Sequence, residues 1–477
     1  MTLSPKISAS MLRYGGFAVS VGSARVAGVL ITSITFPFLV RRLGVEIYGL
    51  WSYVIAVCAF FELIANPGLT SYATQQVAAR RHAAAELIPD ILALRLLATL
   101  IAIVVLLGVS HFETRADVRF LFRWFGVGSL GISLLAADHL LNSLEMFHTR
   151  SFLAITQQSL YAAGVLLLVK GPRDVIWVPT SILASVLITN VAGWVALWRV
   201  GFKVPLTLSP RRWQGILAPS FHYAGGSLMG TIYHRVGHLF VRWFLGEHAL
   251  GLYAAAVRFV DLLRNFVSVA LTVVMPRIAK SAQSEAGLRR VANALVSALL
   301  VVSIPLILGT LATAHLVVPW VMGAAYTEAV RPVRWMSAFL FTAPLASLLS
   351  GTILYAMGKH RAYLISASVG ALTAVLLGLV LVPTAGLAGA CIAFTLAEGA
   401  VALAAYCQLP HDLRDLWKNP IVVVAGVSAL LMCAAVRLAN FYSSRPLLVV
   451  AAGAVVYLVS AGIMGRKRLV EQFGGTR

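Results

Sequence analysis

Long apolar runs alternate with short polar connections along the whole chain. A window of about 20 residues, the length that an α-helix needs to cross a bilayer, marks fourteen apolar runs in the sequence. Their approximate bounds are 14–40, 48–68, 88–110, 120–144, 152–169, 175–198, 219–242, 251–275, 291–312, 333–357, 363–382, 387–408, 420–438 and 446–464. The longest connection is about 199–220, so no soluble catalytic domain is predicted between the helices.

Composition supports the same fold class. The 477 residues are 60% hydrophobic and 12% charged, with a mean hydropathy of +0.87, whereas a soluble chain is nearer half apolar and a quarter charged. We therefore predict an all-α polytopic membrane protein. A net charge of +21 would indicate a nucleic-acid partner in a soluble domain. In a membrane protein, Lys and Arg collect in short cytoplasmic loops, so no nucleic-acid partner is predicted.

Positive charge is unequally divided between the two sides of the predicted bundle. With the N-terminus inside, 21 Lys and Arg residues fall on the cytoplasmic side and eight on the other. Those eight are Arg41, Arg42, Arg115, Arg119, Lys170, Arg173, Arg331 and Arg445. This imbalance predicts that both termini are cytoplasmic, which requires an even number of spans.

An internal repeat relates two helix pairs. Residues 38–50 read FLVRRLGVEIYGL and residues 240–252 read FVRWFLGEHALGL, an offset of 202 residues that superposes Leu-Gly and Gly-Leu pairs. A parallel repeat of six spans is a transporter architecture whose substrate site lies between the halves. Chance is the alternative, because the chain has 38 glycines. The predicted domains are a first six-helix lobe at 1–208, a second at 209–413, and the last two helices with a basic tail at 414–477.

Several cationic side chains fall inside predicted spans, where an ionisable group is expensive unless it faces the bundle interior or water. Arg25 is near the middle of span one. In span seven, Arg235, His238 and Arg242 share one helical face, and Arg258 lies in span eight. Arginine binds phosphate well, because its planar fork donates two hydrogen bonds at once. These five residues are the predicted anion-binding set.

Other interpretations of these cations remain open. Arg242 is close enough to the outer interface to snorkel, and Arg258 can pair with Asp261 within its helix. Arg95, about two turns from the inner end of span three, is expected to snorkel.

Four acidic residues lie within predicted spans and are candidates for carrying a coupling proton or sodium ion. They are Glu62, Asp138, Asp261 and Glu398. Asp138 adjoins His139 near the inner end of span four, where a solvated helix end is the alternative. Glu398 is in a helix rich in small residues, where close helix packing is expected.

Motifs for cofactor, metal or covalent chemistry are missing from the sequence. We find no phosphate-cradling loop and no serine nucleophile motif. His234 and His238 have a spacing that could hold a metal ion, but Arg235 beside them would repel a cation. We predict no cofactor, no metal site and no enzymatic activity.

Five segments resemble a known family in order and spacing. The run from Phe36 to Arg80, FPFLVRRLGVEIYGLWSYVIAVCAFFELIANPGLTSYATQQVAAR, resembles the first two helices of bacterial polysaccharide transporters, the O-antigen and capsule repeat-unit flippases. GEHALGLYAAAVR, VMGAAYTEAVRPVRWM, YAMGKHRAY and VPTAGLAGACIA, which begin at Gly246, Val321, Tyr355 and Val382, resemble its later landmarks.

The resemblance implies the multidrug, oligosaccharidyl-lipid and polysaccharide exporter superfamily. That means two six-helix lobes in a V around a central cationic cavity, two extra C-terminal helices, alternating access and a place in the bacterial inner membrane. The implied cargo is an oligosaccharide on an undecaprenyl diphosphate carrier, within membrane lipid, with polysaccharide polymerase and chain-length proteins as candidate partners. Many members carry an acidic residue in the seventh helix where this chain has Gly237 and His238, so ion coupling by that helix is in doubt.

We therefore predict a flippase for a lipid-linked oligosaccharide repeat unit. One rival is an exporter of other cargo on the same fold, such as a lipid II-like molecule or a drug. A drug or cation exporter would be expected to have an acidic cavity. A membrane glycan polymerase or ligase is the rival from another class, and it would be expected to carry catalytic Arg or His on a long outer loop.

Overall fold

The computed structural model describes residues 5–79, 84–202, 209–279, 285–354, 357, 359–410, 421–443 and 445–473. Regular structure in these ranges is helical throughout. The chain divides into two compact units, Met1–Leu239 and Phe240–Arg477, and each is described by itself.

The first unit runs from α1 into the first part of α9. Its helices are α1 (Pro5–Ala65), α2 (Leu69–Ala79), α3 (Ala84–His111), α4 (Ala116–Leu121), α5 (Gly128–Leu134), α6 (Asp138–Ser143), α7 (Phe147–Leu168), α8 (Trp177–Arg199) and the start of α9 (Trp213–Ala279). A π-helical turn, Phe122–Val127, joins α4 to α5, and 3₁₀ turns cover Pro172–Asp174 and Pro210–Arg212.

The second unit contains the rest of α9 and six further helices. These are α10 (Glu285–Met322), α11 (Val330–Trp335), α12 (Phe339–Ala346), α13 (His360–Cys407), α14 (Ile421–Tyr442) and α15 (Pro446–Phe473). A 3₁₀ turn, Ala324–Ala329, precedes α11, and a π-helical segment, Ser347–Leu354, follows α12.

Single glycines bend three of the long helices into pairs of segments. Gly44 in α1 has φ 75° and ψ 174°, Gly246 in α9 has φ 86° and ψ −174°, and Gly386 in α13 has φ 60° and ψ −138°. Only glycine adopts such angles without strain. Gly44 and Gly246 are the glycines of the repeated Leu-Gly pair, so the sequence repeat extends to the backbone at this bend.

Within the described residues, nine helices are long and apolar enough to cross a membrane, or ten if the bent pair Ala324–Trp335 and Phe339–Leu354 counts as one span. Two of the nine, Gly22–Ala65 and Arg361–Cys407, each contain two segments divided by a glycine bend. Helix α9 adds two more segments, divided by the Gly246 bend. This confirms the predicted polytopic fold with fourteen helical segments.

The fourth membrane segment is broken where the sequence predicts one continuous span. Helix α5 ends at Leu134 and α6 begins at Asp138, and the Ile132 and Ser133 carbonyls at this end accept the backbone N–H groups of Leu135 and Ala136 in a tight final turn. Side chains from α3 and α8 add further donors to the carbonyls of this turn. The Arg95 guanidinium donates to the Ser133 carbonyl, Asn190 Nδ2 donates to the Ile132 carbonyl at 3.3 Å, and Trp194 Nε1 donates to the Leu135 carbonyl at 2.8 Å.

A buried carboxylate fixes the connection that leads into α9. Asp90 in α3 is fully buried, and its Oδ1 accepts hydrogen bonds from the Ser209 backbone N–H at 2.8 Å and from Trp213 Nε1 at 3.2 Å. Arg212 Nε lies 4.0 Å from Asp90 Oδ2. Ile216 packs beside this anchor in an apolar cluster of α2, α3 and α9 residues.

The last two helices of the second unit pack against α10. Met432 and Val436 of α14 and Tyr457 of α15 share an apolar cluster with α10 side chains, and the Tyr457 hydroxyl donates to the Val301 carbonyl at 2.5 Å. Outward positions of α14 and α15 are large and apolar, for example Leu430 and Ile463 at 63% and 75% exposure. Such a surface suits contact with lipid acyl chains.

Candidate functional site

Arg258 has an unusual environment in the second segment of α9. Every residue from Leu250 to Val260 is buried except Arg258, which is exposed. The surrounding side chains are mostly alanine and valine, so the backbone is tightly packed on the other faces of this segment. The Arg258 guanidinium is therefore accessible on an otherwise enclosed stretch of a membrane helix.

A cluster of three ionisable residues includes two that follow Arg258 in α9 and one from α13. Arg264 Nε and Asp261 Oδ1 are 3.2 Å apart, and the Arg264 guanidinium stacks 5.8 Å from the centre of the Phe339 ring. Glu398, only 3% exposed, interacts electrostatically with both Arg264 and Asp261. The structure thus brings together two of the predicted ion-coupling residues, Asp261 and Glu398, around Arg264, a span-eight arginine that was not among the predicted site residues.

This arrangement decides between two interpretations of Arg258. Asp261 could pair with the arginine three residues before it or with the one three residues after it. The ion pair forms with Arg264, which leaves Arg258 exposed.

Arg242 has an acidic neighbour across the Gly246 bend. Its Nη2 lies 3.7 Å from Glu247 Oε1, and the two side chains are 13% and 25% exposed. An arginine in an ion pair can still bind an anion, but the anion must compete with the carboxylate.

The remaining span-seven candidates belong to the first unit. Arg235 is half-buried, and His238 is 4% exposed. The charge of Arg235 acts on the His238 ring, and the Tyr233 and His234 rings are 4.2 Å apart between centroids. His238 is thus enclosed by protein, whereas Arg235 is partly accessible.

A second ionic cluster forms in the first unit around Glu62. The exposed Glu62 side chain of α1 interacts electrostatically with Arg95 of α3 and Arg235 of α9. Arg95 is only 2% exposed, so the predicted snorkelling of this residue is wrong. Its guanidinium is held instead by the broken end of α5, through the Ser133 carbonyl, and by the charge of Glu62.

Two predicted residues lie outside both clusters. Arg25 is exposed in the first segment of α1. Asp138 is an exposed residue in the first turn of α6, where a carboxylate is favoured by the helix N-terminus. His139 beside it is buried at 5% exposure, so the two neighbours have opposite environments.

Sequence reasoning gave no site role to three charged residues that the structure places in contact networks. Arg95 and Arg264 each belong to an ionic cluster, and Asp90 anchors the start of α9. The available signal was their position within predicted spans, since an intramembrane charge is a functional candidate by default. Among the described residues, no group of three or more His, Cys, Asp or Glu side chains could hold a metal ion.

Solved membrane transporters share this fold. The chain is similar to the lipid II flippase MurJ in its inward closed conformation, with a TM-score of 0.77 and 15% identity, covering 95% of this chain and 99% of that one. It is also similar to an inward-facing multidrug resistance MATE family transporter of the MOP superfamily, with a TM-score of 0.61 and 16% identity, covering 84% and 99%.

A MOP superfamily transporter from Pyrococcus furiosus has a TM-score of 0.51 and 14% identity to this chain, covering 84% and 96%. At these identities the likeness concerns the fold alone. No curated protein sequence matches the chain.

A family model provides the sequence-level assignment. The model described as polysaccharide biosynthesis protein matches residues 18–282, which is more than half of the 477-residue chain. The match includes the Gly44 and Gly246 bends and all of the α9 cations named above. The chain belongs to the polysaccharide biosynthesis protein family, and its fold is that of the MOP superfamily of transporters.

Proposed function

We propose that this protein is a flippase that moves an oligosaccharide repeat unit, linked to undecaprenyl diphosphate, from the cytoplasmic to the outer leaflet of the bacterial inner membrane. The membership of a polysaccharide biosynthesis family supports a glycan-related cargo. The fold shared with a lipid II flippase supports a lipid-linked one. The product would serve the synthesis of a surface or secreted polysaccharide such as O-antigen.

The observation that carries the proposal is the exposure of Arg258 within a buried stretch of a membrane helix. A charged side chain at membrane depth is costly unless water or a counter-charge accompanies it. Asp261, the nearest acid along the helix, is already paired with Arg264. An anionic ligand supplies the missing counter-charge, and a diphosphate matches the donor geometry of the guanidinium.

The other cations extend the diphosphate site in this proposal. Arg25 is exposed and Arg235 is partly accessible, so both can reach a ligand directly. Arg242 binds it in competition with Glu247. The buried His238 contributes after a side-chain rearrangement, or acts by orienting Arg235.

Alternating access provides the mechanism. The repeat of the Leu-Gly bend in α1 and α9 supports two halves that open in turn to the two sides of the membrane. The diphosphate crosses the membrane bound to the arginines, while the lipid tail stays in the bilayer. Coupling to a proton or sodium ion would involve Glu62 and Glu398, because both interact with arginines of their clusters, and secondarily Asp261 and Asp138. Both termini are cytoplasmic in this scheme.

The test replaces single arginines and follows transport. Arg258→Gln and Arg25→Gln are expected to abolish growth of the polysaccharide and to leave protein levels intact, because both side chains are exposed and contribute little to packing. Arg437→Gln is the matched control, since Arg437 is exposed in α14, outside the six-helix repeats. Normal transport by Arg258→Gln, or an equal loss in Arg437→Gln, would contradict the site assignment.

A further inference from the structure

A cavity lies at the end of the first α1 segment, just before the Gly44 bend. It has a volume of about 500 Å³, and the described residues that line it are Ile34, Pro37, Phe38, Arg41 and Arg42. Residues 34, 37, 38 and 41 recur at helical spacing and therefore share one face of α1. The cavity thus has an apolar wall of Ile34, Pro37 and Phe38 and a cationic rim of Arg41 and Arg42, at the end of the first predicted span.

The rim is partly preorganised by the neighbouring connection. Arg42 Nη1 donates to the Lys170 carbonyl at 3.4 Å, and its guanidinium lies 5.3 Å from the centre of the Phe38 ring. These two contacts restrict the Arg42 side chain before any ligand binds, which lowers the entropic cost of binding. Arg41, the other rim cation, is exposed.

Nearby charges keep the rim positive. The turn Pro172–Asp174 contacts α1 and brings two more exposed cations, Lys170 and Arg173. Asp174 directs its Oδ2 at the backbone N–H groups of Lys170 and Gly171, at 3.0 and 3.1 Å. That carboxylate oxygen therefore caps the turn.

An occupant of this cavity must match both its charge and its apolar wall. Ile34 is 64% exposed and sits about two helical turns from the Arg41 rim, so it contacts acyl chains when the helix is in a bilayer. A phosphate on the arginines would place the attached lipid chain along Ile34 and Phe38. A free phosphate ion would leave that wall without a partner.

We propose that the Arg41–Arg42 cavity is a binding site for the phosphate headgroup of a membrane lipid, at the bilayer interface predicted to be the outer one. Its residues belong to α1, whereas Arg258 belongs to the second segment of α9. The biological role rests on the proposed function: a flipped diphosphate needs a cationic site at the outer interface before it leaves the protein. Lipid binding itself is independent of transport.

The experiment measures retained lipid on the purified full-length protein by native mass spectrometry, with dioleoyl phosphatidic acid as the probe. Arg41→Gln is expected to lower the affinity about tenfold, because it removes a charge-assisted hydrogen bond. Arg331→Gln, an exposed arginine on α11 of the second unit, is the matched control and is expected to bind as the wild type does. At the second rim position we use Arg42→Lys rather than Arg42→Gln, because lysine keeps a donor for the Lys170 carbonyl at the end of α7.

A second pair of variants tests the apolar wall. Ile34→Trp fills the cavity with the arginines intact and is expected to weaken lipid binding as strongly as Arg41→Gln does. Leu30→Trp, one turn earlier at 55% exposure and outside the cavity lining, is expected to have no effect. Unchanged binding in both Arg41→Gln and Ile34→Trp would overturn the proposal.

Inorganic phosphate separates a lipid site from a site for the free anion. It is expected not to displace the lipid, because the tail contributes to binding, and displacement at millimolar concentration would contradict the lipid assignment. If only the proposed function is wrong, the protein does not transport the repeat unit, but the Arg41→Gln and Ile34→Trp substitutions still lower lipid retention.

Discussion

Charged side chains in the membrane segments of this chain have two different environments. Glu398 and Arg95 are enclosed and engaged by neighbouring groups, whereas Arg25 and Arg258 are exposed. The enclosed residues can stabilise helix positions without a ligand, and the exposed arginines require water or an anion beside them. Burial therefore separates Arg95 and Glu398 from Arg25 and Arg258, the two exposed arginines proposed to bind the cargo.

Arg95 should be important for stability. Its replacement in Arg95→Met leaves the Ser133 carbonyl without its side-chain donor, and we expect a loss of about 2 kcal/mol in the free energy of unfolding. Arg331→Met is the control, since Arg331 is exposed in α11, and should change the unfolding free energy by less than about 0.5 kcal/mol. The measurement is chemical unfolding in detergent, and equal losses would contradict this role.

Sequence patterns locate intramembrane charges better than they identify their partners. Helical spacing places Arg258 three residues before Asp261 and Arg264 three residues after it. Only the side-chain geometry shows that Arg264 is the partner. The buried Arg95 guanidinium donates to the Ser133 carbonyl at the end of α5, where the chain leaves the helix. A hydropathy window does not register backbone hydrogen bonds, so it could not show this partner.

At the scale of helices, the Gly44 and Gly246 bends fix how paired segments join. The predicted spans 14–40 and 48–68 leave a connecting loop, whereas the chain stays helical up to a single bend at Gly44. The sequence repeat located the bend, since Leu-Gly occurs at both positions. The break in the fourth segment has no comparable sequence signal, because residues 120–144 are apolar throughout most of their length.

Two glycines of α1 should respond in opposite ways to the same substitution. A Cβ at Gly44 or at Gly28 would meet no atom within 4 Å, so steric clashes are not the cause of any difference. Gly44→Ala is expected to cost about 2 kcal/mol because its backbone angles suit only glycine. Gly28→Ala, within regular helix, should stabilise by about 1 kcal/mol. Thermal unfolding of both variants tests this, and the same sign for both would refute the explanation.

The Asp90 anchor predicts a graded effect at the start of α9. Asp90→Ala removes the acceptor of the Ser209 and Trp213 hydrogen bonds and should destabilise by about 2 kcal/mol. Asp90→Asn keeps an acceptor oxygen and should lose less. Arg212→Gln should be nearly neutral, because the Arg212 side chain is 46% exposed and its Nε is 4.0 Å from Asp90 Oδ2, too far for a hydrogen bond. Limited proteolysis at the 203–208 connection measures the anchoring, and an Asp90→Ala variant as resistant as the wild type would contradict it.

For the whole molecule, composition and hydropathy were sufficient to predict the all-helical polytopic fold, and the family motifs agreed with the family model match. The membrane environment explains this success, because each span must bury its backbone hydrogen bonds within one apolar helix. Cargo identity is a different matter. Sugar hydroxyls are bound by scattered polar side chains, and no spacing in the sequence marks them.

The central claim is translocation of a lipid-linked repeat unit, and the most direct measurement locates that unit in a strain that lacks the protein. Radiolabelled sugar marks the lipid-linked units, and an externally added hydrolase reports which leaflet holds them. The account predicts that unpolymerised units accumulate in the inner leaflet, protected from the hydrolase, and that the wild-type chain restores their exposure. Units that reach the outer leaflet without being joined would instead identify a polymerase or ligase and contradict the flippase.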